Sequence, residues 1–244
     1  MKTIDSFGEY LVIPTEIPFK LKGYIQIIQS SEELYREAID AACTGLIQRG
    51  AEKVYASCID KSIDVPPAGF QTANYAFRFE HEMDYLETEL TDFRLVPVPE
   101  GIALQNVTRD NIDDFLRIYN TVFFAVPNAA SYTQEDTDHI LGESGKSCAG
   151  LLMRNGEKVG MYELSFEEQT PEILAFGLLD DQRGHGLGQQ FLASLLDELL
   201  RMGYQKAGLR VSTANPTAYG LYLKTFKKVK TVSRWYVFDT KQPR

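Results

Sequence analysis

Apolar and polar positions follow two periods along this chain. Leu21–Ile28 gathers Tyr24, Ile25, Ile27 and Ile28 in a short aromatic and β-branched run, which predicts a strand. Leu34, Ala38, Ala41, Ala42 and Leu46 then recur at helical spacing as far as Gln48, before Gly50. Ser30 and Glu33 stand ahead of them at the spacing of a capping box. Val54–Cys58 predicts a second strand, Ser62–Thr72 with Pro66-Pro67 a loop, and Asn74–Glu80 a half-buried strand with Tyr75, Phe77 and Phe79 on one face. The segment Leu95-Val96-Pro97-Val98-Pro99-Glu100-Gly101 breaks both periods and reads as a linker. It divides the chain into an N-terminal αβ domain, residues 1–97, and a second domain, residues 98–244.

Beyond that seam the pattern is denser. Ile102–Val107 predicts a strand, and Thr108 the cap of a helix with Ile112, Phe115, Leu116, Tyr119, Val122 and Phe123 on one face. Thr133–Leu141 predicts a shorter, polar helix. Ser147–Arg154 and Lys158–Phe166 flank Asn155-Gly156, a strong hairpin signal. Glu172–Leu179 is a continuous apolar strand. A glycine-rich turn leads into a helix that runs to about Met202, with Leu187, Phe191, Leu192, Leu195, Leu199 and Leu200 inward and Gly203 as its stop. A strand (Lys206–Val211), a helix (Asn215–Thr225) and a last strand (Val229–Asp239) complete the series.

Composition narrows the class. The chain has 244 residues, 44% of them apolar, and a net charge of −9. No apolar run approaches the ~20 residues that span a bilayer, and Met1–Tyr10 lacks the basic-then-apolar pattern of a secretory leader. Three well-separated cysteines exclude a disulfide framework, so a cytoplasmic setting is expected. His81 and His139 have no partners at ligand spacing, and no metal is expected. The charge is uneven: residues 201–244 carry ten basic side chains and one acid, Asp239. This suits either a solvated basic face or a local site for a polyanion, while the acidic remainder argues against nucleic-acid binding. No membrane association is expected.

The chemistry concentrates in Leu178-Leu179-Asp180-Asp181-Gln182-Arg183-Gly184-His185-Gly186-Leu187-Gly188, between a strand and a helix. Such a turn aims backbone N–H groups and the positive helix end at one point, which suits phosphate oxygens. A dinucleotide fingerprint fails because Gln189 stands where the third glycine belongs. Gly142-Glu143-Ser144-Gly145-Lys146-Ser147 imitates the end of a Walker loop, but it follows a helix and precedes a strand, and Ile140 replaces the first glycine.

The spacing Arg183…Gly186-Leu187-Gly188 resembles the acetyl-CoA signature of the GCN5-related N-acetyltransferase (GNAT) superfamily. Asn215-Pro216-Thr217-Ala218-Tyr219-Gly220-Leu221-Tyr222 is similar to that family's downstream Asn-x-x-Ala-x-x-Leu-Tyr, and residues 102–240 follow its element order. The resemblance implies an α+β fold with a central mixed, mostly antiparallel sheet flanked by helices. It makes acetyl-CoA the cosubstrate and an amine of a small molecule or peptide the acceptor. It places the CoA pyrophosphate on the amides of Arg183, Gly184, His185, Gly186, Leu187 and Gly188 and the pantetheine arm along Leu178 and Leu179, and it makes Asn215 a further cofactor-binding residue. It makes Glu172 the candidate base, with Glu163 as a second, and Tyr222 the proton donor to the leaving thiolate. Phe226 stands where the family commonly has glycine. A silent acyl-CoA-binding module with the same fold, or transfer of another acyl group, are the competing readings. Residues 1–97 lack the glycine signature but keep a strand–helix–strand order, as a degenerate half of the same fold would, serving as an acceptor-side lid or a homodimer contact.

Overall fold

The computed structural model describes residues 2–5, 8–30, 35–58, 69–91, 100–126, 128–141 and 145–241. In chain order the elements are β1 (Lys2–Asp5), β2 (Gly8–Ile13), α1 (Ile17–Lys20), β3 (Lys22–Ser30), α2 (Tyr35–Gln48), β4 (Lys53–Cys58), β5 (Gly69–Gln71), β6 (Ala76–Glu89) and β7 (Ile102–Asn106). They continue with α3 (Ile112–Phe123), α4 (Thr137–Ile140), β8 (Ser147–Arg154), β9 (Glu157–Ser165), β10 (Glu172–Leu178), α5 (Leu187–Arg201), β11 (Lys206–Ser212), α6 (Pro216–Tyr222) and β12 (Lys227–Asp239). Two compact units emerge. Unit 1 is Met1–Asp84 with Ser212–Ala214 and Thr231–Arg244; unit 2 is Tyr85–Val211 with Asn215–Lys230. Most of the Pro-rich seam, the Ser30–Glu33 capping box after its first residue, the Pro66-Pro67 loop and Gly142–Ser144 lie outside the described residues.

In unit 1, β3 and β4 are parallel neighbours joined by α2, and they stay in register from Lys22↔Lys53 to Ile27↔Cys58. β2 pairs antiparallel with β3 on one side, and Arg234–Asp239 of β12 pair antiparallel with β4 on the other. One face packs Ile25, Ile27, Val54 and Ala56 against Ile39, Cys43 and Leu46 of α2. The other stacks Tyr24 on Tyr55 at 5.3 Å, with Trp235 edge-on to Tyr24. Burial of this order contributes about 1.5–3 kcal/mol per large apolar side chain. The turn before β6 is tied to α2 by Asp40, whose carboxylate accepts from Asn74 N at 2.9 Å and Asn74 Nδ2 at 2.8 Å.

In unit 2, β7, β8, β9 and β10 are successive antiparallel neighbours, and β11 lies parallel beside β10. The sheet is therefore mixed and mostly antiparallel, as the family resemblance implies. The Asn155-Gly156 turn closes the β8–β9 hairpin with both residues at positive φ, 51° and 83°, the conformation a two-residue hairpin turn demands. One core lies under α5 and α6, with Phe191, Leu195 and Leu199 fully buried against β9, β10 and β11. A second lies under α3, where Phe115, Ile118 and Val122 meet Met161 and Ala175.

Several local expectations need correction. The cap of α3 is Asn111, not Thr108; Asn111 Oδ1 accepts from Thr108 N at 2.8 Å, so the shorter side chain is upstream of the helix. The polar helix at Thr133 is a single 3-10 turn (Gln134–Asp136) followed by the four residues of α4, and Thr133 does form its capping box with Asp136. The downstream helix ends at Tyr222 rather than Thr225. The strand beginning near Asn74 runs on to Glu89, through an acidic stretch whose carboxylates find basic partners. Lys206 Nζ lies 2.8 Å from Glu87 Oε1 in unit 2, and Arg234 Nε donates to Glu82 Oε1 at 2.8 Å in unit 1.

Candidate active site

The site starts from a place where two strands part. β10 and β11 pair at Glu172↔Gly208 and Ile173↔Leu209, and no further. Beyond that point β10 stays bound to β9, through Ala175↔Glu163, Phe176↔Tyr162, Gly177↔Met161 and Leu178↔Gly160. The register shifts between Ile173 and Ala175, which bulges Leu174 outward to 50% exposure. The β11-facing edge of Ala175–Leu178 is left as a lane for an extended ligand, able to bond backbone groups as an added strand would.

At the end of that lane lies the glycine loop. Leu179 N donates to Val159 O at 3.0 Å, and a 3-10 turn follows at Asp180–Gln182. Gly184 and Gly186 take φ of +88° and +77°, and a Cβ at either would meet nothing within 4 Å. Glycine is needed here for backbone conformation and open approach rather than for internal packing. Gly186 caps α5, and the first amides the helix closes are those of Gln189 and Gln190, which donate to Gly186 O at 3.1 and 3.3 Å. The preceding amides sit at the positive end of a 15-residue helix. Leu187 is buried beneath the loop, while Gly184, His185 and Gly186 are exposed and Gly188 is half-buried.

Arg183 turns back on its own loop. Its Nε donates to Leu178 O at 2.9 Å and its Nη1 lies 2.8 Å from Asp180 Oδ1. The guanidinium thus ties the turn to the strand end. Asn215 caps α6, its Oδ1 accepting from Ala218 N at 3.2 Å.

Two carboxylates flank the bulge from adjacent strands. Glu172 opens β10 and pairs with Arg210, whose Nε is 3.1 Å from Oε1. Glu163 lies opposite Ala175 and is 2% exposed. Tyr132 Oη donates to it at 3.1 Å, and the largely exposed His139 has Nε2 at 4.0 Å. Burial pushes the Glu163 carboxyl above the usual carboxylate range, partly offset by Tyr132 and His139. Burial and the Glu163 charge in turn raise the Tyr132 phenol. Sequence reading missed Tyr132 because nothing in its spacing marks it; its ring stacks on Tyr119 of α3 at 4.2 Å.

Tyr222 ends α6, 7% exposed in the core beside α5, with Phe226 edge-on at 6.3 Å. Burial pushes its phenol up. Phe226 is 2% exposed, and its amide donates to Tyr222 O at 2.8 Å. The departure from the family's glycine is therefore a core-filling residue that follows the end of the helix.

These elements have known counterparts. The profile of the Acetyltransferase (GNAT) family matches residues 112–227. A mycothiol acetyltransferase of Clavibacter sepedonicus is 30% identical over 128 residues, 51% of this chain and 42% of that protein. One from Propionibacterium freudenreichii is 25% identical over 132 residues, again 42% of its length. The matched stretch thus spans about two fifths of these curated relatives. Among solved structures, a GCN5-related N-acetyltransferase from Kribbella flavida superposes with a TM-score of 0.64 at 12% identity, over 99% of this chain and 90% of that one. Another from Sphaerobacter thermophilus gives 0.62 at 14% identity, over 97% and 78%. The parted strands, the loop at the N-terminus of α5, the profile match and these shared folds agree, and residues 112–227 are similar to the acetyltransferase (GNAT) family.

Proposed function

We propose that unit 2 transfers an acetyl group from acetyl-CoA to a primary amine of a small molecule or peptide by direct attack. The observation that carries this reading is the parting of β10 and β11 after Ile173 and Leu209, beside a loop whose glycines open the helix N-terminus. A pyrophosphate fits the amides of 184–188, and the pantetheine fits the lane along Ala175–Leu178, with the thioester near the Leu174 bulge. An alkylammonium has a pKa of about 10.4 and must lose a proton before it attacks. Glu172 is the base of this scheme, and Glu163 stands one strand away as the second candidate. The C–N bond forms, the C–S bond breaks, and Tyr222 protonates the departing thiolate. One further proton per turnover leaves to solvent. Mycothiol acetyltransferase names for relatives support acetyl transfer as the reaction class.

The test is calorimetric titration of the intact chain with acetyl-CoA, with and without Gly186→Glu. Binding is expected in the micromolar range, about −8 kcal/mol. At φ +77° the glutamate is strained, and its charge opposes the pyrophosphate, so affinity should fall at least about a hundredfold. Wild-type affinity in the folded variant would place the donor elsewhere. Near-complete burial of Tyr222 favours one competing reading, a silent acyl-CoA-binding module. Turnover with a panel of amines separates the two.

A further inference from the structure

Unit 2 holds a cavity that the transfer scheme does not use. It measures about 370 Å³ and lies between β7, Tyr162 of β9 and the last two turns of α5. Small-molecule sites typically occupy about 300–1,000 Å³. It is far from the glycine loop: Asp197 is eleven residues on from Gly186, about 16 Å along α5.

The cavity is shaped by an exchange between two strands. A Cβ at Gly150 of β8 would sit 2.1 Å from the Tyr162 ring. Its absence lets that ring lie across β8, which brings Tyr162 Oη to 3.3 Å from Asn106 Oδ1 on β7. On the opposite wall, α5 presents Ser194, Asp197, Glu198 and Arg201.

The hydrogen-bond inventory is unbalanced. The Tyr162 hydroxyl donates to Asn106, and the Ser194 hydroxyl donates to Gln190 O at 3.0 Å. Both hydroxyl donors are thus engaged. The Asp197 side chain is 4% exposed. One of its oxygens pairs with Arg201, and the other, Oδ1, is buried without a hydrogen-bond partner. Such an oxygen has lost its water and gained nothing in return. Arg201 also lies 3.7 Å from Glu198 Oε2 and is 64% exposed, so one solvent-side cation faces two carboxylates. The surplus negative charge is felt inside: besides burial, Glu198 raises the pKa of both Tyr162 and Cys148. The lining therefore sets two carboxylates against one guanidinium, and one buried carboxylate oxygen is left unpaired.

We propose that this cavity is a second ligand site, taking a small organic cation whose ammonium or guanidinium N–H groups donate to Asp197 Oδ1 and Asn106 Oδ1. It stands independently of the acetyl-transfer reading, because none of its residues belongs to the lane or the loop.

The test uses methylguanidinium chloride, titrated calorimetrically into the intact chain with sodium chloride at equal ionic strength as the blank. Saturable binding beyond the blank is expected. Asp197→Asn should weaken it at least about tenfold, since the variant loses the charge and half of the acceptor capacity. Leu104→Trp, which puts an indole into the cavity from β7, should remove binding while the thermal transition persists. Glu172→Gln, at the start of β10, should leave it unchanged. Heats equal to the blank would overturn the proposal, as would wild-type binding by both cavity variants or loss of binding in Glu172→Gln.

Discussion

Arg183 is the residue that a motif-based reading treats as a ligand contact, yet its guanidinium bridges Leu178 O and Asp180 within its own loop. Its side chain shapes the turn, and its own amide, expected on the pyrophosphate, donates instead to Asp180 O at 3.2 Å, so the proposed phosphate contacts begin at Gly184. Spacing alone could place the residue but not aim it. Tyr222 invites a sharper test. If it protonates the thiolate, Tyr222→Phe should lower kcat roughly a hundredfold and leave acetyl-CoA affinity within about twofold. A parallel loss of affinity, turnover and melting temperature would make it a packing residue. His81, in unit 1, is a titration problem of another kind. It is fully buried against Trp235, and desolvation lowers its pKa from 6.5 to about 4. The unfolded chain therefore takes up a proton below pH 6.5 that the folded chain refuses until about pH 4. Stability present above pH 6.5 should decline through that window, by up to roughly 3 kcal/mol. Denaturant titrations across the window check it, and His81→Leu should flatten the slope.

At the level of elements, the chain builds parallel β–α–β units twice, with opposite outcomes. In unit 2 the strands on either side of α5 part after two paired positions. In unit 1 the strands on either side of α2 stay paired over six, from Lys22↔Lys53 to Ile27↔Cys58. A closed ladder offers no edge to a pantetheine arm, so titration should saturate at one acetyl-CoA per chain; two would show that unit 1 binds as well. Neither the parting nor the closure is legible in the sequence, because both strand pairs read as apolar runs and register is a matter of tertiary pairing. What was legible had a local cause. Asn155-Gly156 fixes its turn by positive φ, and the faces of α3 and α5 follow from 3.6-residue spacing. The acidic end of β6 was missed for the converse reason. Glu82, Glu87 and Glu89 look like a solvated loop until Arg234 and Lys206 meet them. α1 and the first two strands escaped notice because four to six residues carry too little periodicity to register.

Over the whole molecule, those ion pairs also reinterpret the charge asymmetry. Of the ten basic residues in 201–244, Arg201, Lys206, Arg210, Arg234 and Lys241 each have an acidic partner within their own unit. Much of the excess that suggested a polyanion site is thus matched by acids earlier in the chain. Exposed pairs of this kind stabilise by only about 0–1 kcal/mol, so they select partners more than they add strength. The division into units carries a consequence for how the protein is made. Most of unit 1 precedes unit 2 in the chain, but unit 1 takes its strand beside β4 from Arg234–Asp239. A ribosome emits residues in order, at about 5–20 per second, and domains generally fold as they emerge. This one cannot complete its sheet until the last strand has cleared the exit tunnel. During synthesis the β12-facing edge of β4 is therefore an open hydrogen-bonding rim, and the waiting time is set by the length of unit 2.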